Sequence, residues 1–223
     1  MIPVEDPIEY RLHGVNQVQV NDKIDLGFAR VLRSALRQDP DVVLVGEIRD
    51  TETAQISLRA AMTGHLMLST LHTNDAMSTP IRLLDMGVPG YMVGSALQAV
   101  VAQRLVRVIC DSCREDHILL ANERAWLSRA LGASVDHFRY YRGRGCSHCN
   151  NTGFHGRAGV YEMLEMTDEL VAATHDNDAT LFRQIAKHQM AGQSLSRHVI
   201  ALANAGKTTV SEAMFVGSKR SDS

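Results

Sequence analysis

The apolar positions of this chain fall into two patterns that predict strands. Val42–Val45 is a short, uninterrupted apolar run that lies between Asp39–Asp41 and Gly46. Such a run is typical of a strand that is buried on both faces of a parallel sheet. His65–His72 has the same character and predicts a second buried strand. Val15–Val20 instead alternates, which predicts a strand with one wetted face.

Segments with helical spacing separate these runs. Thr51–Met62 is predicted to be a helix, with Asp50 or Thr51 as its N-cap and Gly64 just beyond its end. The same reasoning predicts helices at Leu26–Leu36, Ser78–Met86, Asn122–Leu131, Leu181–Met190, Leu195–Ala205 and Val210–Val216, and a strand at Val160–Met166. Strands that alternate with helices imply crossover units, so we expect a mostly parallel α/β sheet.

Composition and charge narrow the class of protein. The chain has 223 residues, of which 45% are hydrophobic and 22% charged, and its net charge is −2. This length suffices for one core and a smaller lobe, and the near-neutral charge argues against a nucleic-acid partner. No apolar run approaches the roughly 20 residues of a membrane span, so we expect no membrane insertion. The predicted regions are an α/β domain at 1–108, a cysteine lobe at 109–150, a strand and helices at 151–217, and a disordered tail at 218–223.

The cysteines form two C-x-x-C pairs. Cys110 and Cys113 make the first pair, Cys146 and Cys149 the second, and the chain has no other cysteine. Each pair can present two thiolates to one ion, so together they predict a closed, structural zinc site. Two disulfides or four reduced thiols are the alternatives, and His148 is a candidate to replace one thiolate. Thiols that bind metal fit a reducing cytoplasm.

Polar residues follow each of the predicted buried strands. Glu5 and Asp6 follow the apolar start of the chain, Glu47 and Arg49 follow Val42–Val45, and His72 ends the next run. Ligands of doubly wound α/β proteins bind beyond the carboxyl ends of the strands. Carboxylates there suit a magnesium nucleotide, because Mg²⁺ prefers carboxylate and water oxygens. A local Glu47–Arg49 ion pair, an Asp6-Pro7 turn and a strand-end histidine are the structural alternatives.

Taken together, three segments resemble a known family. Val4–Glu9, Leu36–Asp50 and Gly64–Asn74 are similar to the Asp box, Walker B box and His box of the type II secretion and type IV pilus assembly ATPases. The resemblance extends from residue 1 to about residue 217. The pilus-retraction branch of that family generally lacks the four cysteines, so their presence here favours the secretion and pilus-extension branch.

The resemblance implies a fold and a function. It implies a RecA-like P-loop NTPase core, truncated on its N-terminal side, with a tetracysteine zinc lobe and a mainly helical C-terminal region. It also implies a homo-hexamer that binds Mg-ATP between subunits and couples hydrolysis to the movement of pilin or pseudopilin. The partner would be a platform protein of the inner membrane, and the ATPase would be cytoplasmic and peripheral to that membrane.

The resemblance further implies roles for individual residues. Glu5 is the candidate general base, and Glu47 would hold magnesium through water, although these two roles could be exchanged. His65 and His72 form the His-box pair, of which His72 is positioned to stabilise a terminal phosphate. Candidates for nucleotide binding or charge compensation, around the phosphates or at a subunit interface, are Asp6, Arg49, Arg33 and Arg37.

The chain departs from the family in one respect. It contains no G-x-x-x-x-G-K-[ST] loop, and Ala205–Thr209 lacks the upstream glycine and follows no predicted strand. We therefore expect this chain to be a fragment whose phosphate loop lies upstream of Met1. The fragment alone would hydrolyse ATP negligibly, because the groups that hold the phosphates are missing. A RecA-like nucleic-acid motor and a non-enzymatic, zinc-stapled interaction module are the alternative functions.

Overall fold

The computed structural model describes residues 1–135 and 137–218. The strands are β1 (Ile2–Glu5), β2 (Val18–Gln19), β3 (Val42–Val45), β4 (Leu66–Ser69), β5 (Ala99–Ile109), β6 (Arg114–His117), β7 (Tyr140–Gly143) and β8 (Phe154–Glu165). The helices are α1 (Phe28–Ala35), α2 (Thr51–Met62), α3 (Ser78–Asp85), α4 (Gly90–Ala96), α5 (Ala121–Leu131), α6 (Asp168–His175), α7 (Ala179–Gln189), α8 (Leu195–Asn204) and α9 (Val210–Ser218). The predicted tail lies outside the described residues except for Ser218, which ends α9.

The chain forms two compact units. The first consists of Met1–Thr73, Met77–Val100 and Glu165–His188, and the second of Asn74–Ala76, Val101–Leu164 and the residues from Gln189 onward. The division of the sequence at residues 108 and 150 stays a prediction. The contacts group the chain differently, because the segment that contains α6 packs with the first unit.

The first unit contains a four-stranded parallel sheet in the order β2-β1-β3-β4. This confirms the parallel α/β arrangement. Val4, Val43 and Val45 are fully buried and pack with Leu32 of α1. Each such side chain contributes about 1.5–3 kcal/mol by leaving water, so this apolar layer holds the strands in register.

The prediction of a buried strand at His65–His72 is wrong in extent and in burial. The strand β4 is shorter, and Leu66 and Leu68 are 54% and 42% exposed. The physical reason is position, because β4 ends the strand order of this sheet and has only β3 as a neighbour among the described strands. The alternating segment Val15–Val20 is likewise a strand only at β2.

Helix α2 has the bounds that the sequence predicts. The Asp50 carboxylate caps it by accepting hydrogen bonds from the Thr53 N–H at 2.8 Å and the Thr53 hydroxyl at 3.0 Å. Such a cap is worth about 1 kcal/mol. Gly64 follows the helix with a φ of +102°, a conformation that glycine adopts without strain. The cap fixes where the β3–α2 connection ends.

Helices α4 and α6 pack closely in the first unit. A Cβ atom at Gly90 would lie 2.2 Å from the carbonyl oxygen of Thr174, and one at Gly94 would lie 3.2 Å from the Val171 side chain. Only residues without a side chain allow this approach. The contact explains why residues 165–188 join the first unit.

The second unit is built on two strand pairs. Strands β5 and β8 form one pair, and β6 pairs with β7 in antiparallel fashion. Val160 of β8 and Val199 of α8 are fully buried in one core, while Leu127 of α5 and Ile200 belong to a second core. Each of the helices α5, α8 and α9 was predicted within two residues at its start.

The segment Ala205–Thr209 ends a helix, as the sequence predicts. Gly206 follows α8 with a φ of +69°, and the Lys207 carbonyl accepts a hydrogen bond from the Ile109 N–H at 2.9 Å. Thr208 is buried, and its hydroxyl donates to the Arg107 carbonyl. This segment is therefore packing structure and has no phosphate-binding form.

Among the described helices, none is both long enough and apolar enough to span a bilayer.

Candidate functional site

The backbone brings the ends of three strands together at Gly46. Its N–H donates to the Val4 carbonyl at 2.7 Å, and its carbonyl accepts from the Thr70 hydroxyl at 2.7 Å. A Cβ atom at Gly46 would lie 3.1 Å from the Val4 oxygen and 3.3 Å from Glu5 Cα, so glycine permits the close approach of β3 to β1. The residues that follow β1, β3 and β4 therefore converge at one edge of the sheet.

A cleft of about 320 Å³ opens at this edge. Its acidic lining residues are Glu5, Asp6, Glu9 and Glu47, and Thr70 and His72 line it from the β4 side. The structure thus gathers the sequence-predicted acidic residues and one of the two predicted histidines. A cleft rich in carboxylates suits a divalent cation that arrives with its own water and phosphate ligands.

Both carboxylate oxygens of Glu47 have basic partners. Oε1 accepts a hydrogen bond from Arg49 Nη2, and Oε2 lies 2.9 Å from His72 Nε2. Arg49 also reaches Asp6, at 3.4 Å. The hydrogen bond from Arg49 lowers the pKa of Glu47 below its usual value; burial opposes this shift, and the contact with His72 reinforces it. Glu47 is therefore held ionised, and the Glu47–Arg49 ion pair that was the structural alternative is present, although Arg49 itself is not among the residues that line the cleft.

Glu5 has a different kind of partner. Its Oε2 accepts a hydrogen bond of 2.7 Å from the side-chain amide of Gln17, just before β2. Neither Gln17 nor Thr70 is among the residues that the sequence predicts for the site. The signal for Gln17 was the alternation of Val15–Val20, which places Gln17 and Gln19 on the wetted face; Thr70 gave no signal beyond its place at a strand end.

Three of the predicted site residues lie elsewhere in the first unit. His65 precedes β4, at the opposite end of that strand from His72, and its Nδ1 lies 3.1 Å from the Ala60 carbonyl. Arg33 forms an ion pair with Glu52 of α2, and Arg37 donates to the Arg33 carbonyl. None of the three is among the residues that line the cleft. Their nucleotide or interface roles stay predictions.

The four cysteines converge in the second unit. The Sγ atoms of Cys110 and Cys146, and those of Cys113 and Cys149, are 3.9 Å apart, and those of Cys146 and Cys149 are 3.7 Å apart. No disulfide joins them. Four Zn–S bonds of about 2.3 Å in a tetrahedron require S···S distances of about 3.8 Å. The donor set and its spacing therefore fit a zinc ion. Within the described part of the chain, this is the one group of three or more potential ligands whose donor atoms converge.

Backbone N–H groups surround the sulfurs. The N–H groups of Cys146 and Gly153 each donate to Cys149 Sγ at 3.3 Å. Burial opposes ionisation of this thiol, but these hydrogen bonds outweigh it and lower the pKa of Cys149. Gly153 is required here, because its φ is +77° and a Cβ atom would lie 2.5 Å from the Gly143 oxygen. His148 is exposed and its ring lies against His155, so it is not part of the sulfur cluster.

Comparison with known proteins identifies the family. The family model described as type II/IV secretion system protein matches residues 1–215. The chain belongs to this family. The sequence resemblance is confirmed, and neither the nucleic-acid motor nor the non-enzymatic module is favoured by the relatives that follow.

Two curated members of the type II/IV secretion family are similar over most of this chain. Type II secretion system protein E of Dickeya dadantii (strain 3937) is 48% identical over 81% of this chain and 35% of its own length. Type II secretion system ATPase E of Vibrio cholerae serotype O1 (strain ATCC 39315 / El Tor Inaba N16961) is 46% identical over 78% of this chain and 34% of its own length. The chain thus spans about a third of these relatives.

A solved structure has a similar fold. The crystal structure of the pilus retraction motor PilT with bound ADP matches with a TM-score of 0.67 and 29% identity, over 97% of this chain and 52% of that one. The α/β fold of this secretion-family chain is therefore similar to that of a protein that holds a nucleotide.

Removal of the Arg49 guanidinium should raise the pKa of Glu47. Arg49→Met deletes the hydrogen bond that contributes most to the lowered value, so the Glu47 carboxyl should titrate at higher pH than in the unchanged chain. Because the folded pKa lies below the unfolded one, the stability contributed by ionised Glu47 is present above the unfolded pKa and is lost as the pH falls through the folded pKa. Carboxyl ¹³C NMR measures the titration of Glu47 in Arg49→Met and in the unchanged chain.

Arg30→Met is the matched control. Arg30 pairs with Asp25 on the surface, so its removal should leave the Glu47 titration unchanged. An unchanged Glu47 midpoint in Arg49→Met would contradict the control of this carboxylate by Arg49.

Proposed function

We propose that this chain is the C-terminal part of an ATPase that drives the assembly of pseudopilin or pilin, in type II secretion or type IV pilus biogenesis. The observation that carries the proposal is the convergence of Glu5, Glu47 and His72 on one cleft, in a chain of the secretion family. The Vibrio cholerae relative is named as an ATPase, which supports the same activity.

Two glutamates divide the chemistry in this proposal. Glu5 accepts the proton of the attacking water as the general base, since its carboxylate forms no ion pair with any residue that the structure describes. Glu47, fixed in its ionised form between Arg49 and His72, orients the water shell of magnesium. Magnesium, when bound with ATP, would neutralise charge on the phosphates. Among the described residues, no three carboxylates converge in the way that the cysteine sulfurs do. This agrees with a magnesium site whose remaining ligands are water and phosphate.

The remaining groups compensate charge in the proposed site. Arg49 lies between Asp6 and Glu47 and is 54% exposed, so it can turn toward a phosphate that enters the cleft. His72 is 90% exposed and is available to the terminal phosphate in the same way. Arg33 and Arg37 are proposed to act at a subunit interface, because Arg33 is on α1 and Arg37 lies just after it, and neither lines the cleft.

The full-length protein is proposed to supply the rest of the machine. The phosphate loop comes from a segment upstream of Met1, so this chain alone is inactive. The active form is a homo-hexamer with Mg-ATP between subunits, located in the cytoplasm and peripheral to the inner membrane. It acts there on a platform protein and involves neither nucleic acid nor membrane insertion.

We also propose that Cys110, Cys113, Cys146 and Cys149 bind one structural zinc ion. The S···S distances of 3.7–3.9 Å fit a four-thiolate site, and the N–H groups around Cys149 favour its thiolate form. A site with four protein ligands leaves no position for a reacting water. The ion therefore stabilises the lobe and takes no part in hydrolysis.

Substitution of either glutamate should strongly reduce Mg-dependent ATP hydrolysis by the full-length protein. Glu5→Gln removes the general base and should lower kcat by about 10²- to 10⁴-fold with little change in nucleotide affinity. Glu47→Gln weakens the hold on magnesium, so raising the Mg²⁺ concentration should restore part of its activity but none of that of Glu5→Gln. Steady-state phosphate release measures both.

Glu169→Gln serves as the control for this pair. It makes the same chemical change at an exposed position of α6 in the same unit, and it should keep full activity. Full activity in Glu5→Gln or in Glu47→Gln would remove that residue from its proposed role. Rescue of Glu5→Gln by Mg²⁺ would show that the two roles are exchanged.

Elemental analysis should find about one zinc ion per chain. Cys110→Ser should lose the ion and unfold the lobe at lower temperature, because the folding of such a lobe depends on the metal. His148→Ala should keep both zinc and stability, since His148 is outside the sulfur cluster. A well-folded, metal-free preparation would contradict the zinc assignment.

A further inference from the structure

The Gln17 side chain forms three hydrogen bonds that tie the loop after Glu5 to the Glu5 carboxylate. Its Nε2 donates to Glu5 Oε2 at 2.7 Å and to the Tyr10 carbonyl at 2.9 Å. Its Oε1 accepts from the Leu12 N–H at 2.7 Å. Both amide hydrogens are therefore used, one of them on the proposed general base.

The chemistry of these partners fixes the direction of the amide. The Tyr10 carbonyl and the Glu5 carboxylate can only accept, and the Leu12 N–H can only donate. A flipped amide would set oxygen against two acceptors and hydrogen against a donor. The Gln17 side chain therefore donates to Glu5, and the loop contacts hold it in this orientation.

The register of the strands explains why the amide reaches Glu5. Strand β2 runs parallel to β1 with Gln19 opposite Glu5 and Val18 opposite Val4. Gln17 lies just before β2, two residues from Gln19, and this pairing brings its side chain within reach of Glu5. The Gln19 side chain accepts from the Ile8 N–H at 3.5 Å, and among the described residues no side-chain hydrogen bond joins it to Glu5. The two glutamines thus differ in the one contact that matters for the base.

We propose that Gln17 is a positioning residue that aims Glu5 at the attacking water. This inference rests on the proposed ATPase function. The amide holds Oε2 and leaves the other oxygen of the carboxylate to accept the proton. A neutral donor orients the carboxylate without pairing it with a positive charge, whereas Arg49 does pair with Glu47. Because the same amide holds Tyr10 and Leu12, the aim of Glu5 depends on the conformation of the 6–17 loop.

Three variants of the full-length protein test this role with Mg-ATP. Gln17→Met removes the hydrogen bond to Glu5 and should lower the single-turnover hydrolysis rate by about 10- to 100-fold, since misplacement by about 1 Å has that effect. Its affinity for nucleotide should stay within about twofold, because Gln17 touches the base and not the phosphates. Gln19→Met removes the hydrogen bond to the Ile8 N–H in the same loop but none to the Glu5 carboxylate, and it should hydrolyse at the rate of the unchanged protein.

Gln17→Glu supplies a readout that a loop-closing role would not change. Glutamate keeps an oxygen for the Leu12 N–H but sets a second carboxylate against Glu5. Like charges disfavour each other, so the acid limb of the single-turnover pH profile should move up by about one pH unit. Because the Leu12 contact is kept, this variant remains informative if Gln17→Met does not fold, which thermal unfolding of each variant shows.

The outcomes separate this inference from the proposed function. A folded Gln17→Met protein with an unchanged rate, an equal loss in Gln17→Met and Gln19→Met, or an unmoved acid limb in Gln17→Glu would overturn the role of Gln17. If Glu5→Gln is inactive in the same assay, only the Gln17 inference fails. If Glu5→Gln keeps full activity, the proposed role of Glu5 fails as well.

Discussion

The candidate site depends on the hydrogen bonding of Gly46 to both neighbouring strands. Parallel strands end at the same edge of a sheet, but their following residues meet only where the strands remain close together beyond the last pair. At Gly46 the chain bonds to Val4 on one side and to Thr70 on the other. A side chain there would press against Val4 and Glu5. This constraint sets Glu5 and Glu47 at one cleft, and the Asp50 cap ends the β3–α2 connection that carries Glu47.

The two glutamates of the cleft are held by different chemistry. Glu47 is bonded by a guanidinium and an imidazole, which keep it ionised and suit it to orient a cation's water shell. Glu5 is bonded by the neutral amide of Gln17, which fixes its direction without adding a positive charge. The cysteines belong to the other compact unit, where N–H groups and close glycine packing serve stability. In the proposed function, the glutamates of the first unit take part in hydrolysis, and the cysteines of the second unit bind the metal that stabilises folding.

Local signals were sufficient for part of the fold and of the site. The apolar run at β3 and the Asp50 cap of α2 identified those elements, because the residues that form a strand run or a cap lie within or next to the element itself. Strand burial is not local in this way, since β4 is as apolar in sequence but exposed at the end of the strand order. The sequence also selected Glu5, Glu47 and His72. It distinguished His72 from His65 in part, since His72 follows the apolar run and the carboxyl ends of parallel strands form the binding edge, whereas the place of His65 near the Ala60 carbonyl became visible only in the fold. The contact between Glu5 and Gln17 depends on the pairing of β2 with β1, which is tertiary information.

The most direct test of the central claim is a crystal structure of the full-length protein with Mg²⁺ and a non-hydrolysable ATP analogue. We expect the terminal phosphate in the cleft beyond β1, β3 and β4, with a water molecule between that phosphate and Glu5 and a magnesium-bound water on Glu47. A nucleotide whose phosphates lie beyond the reach of one bridging water from both carboxylates would contradict the account.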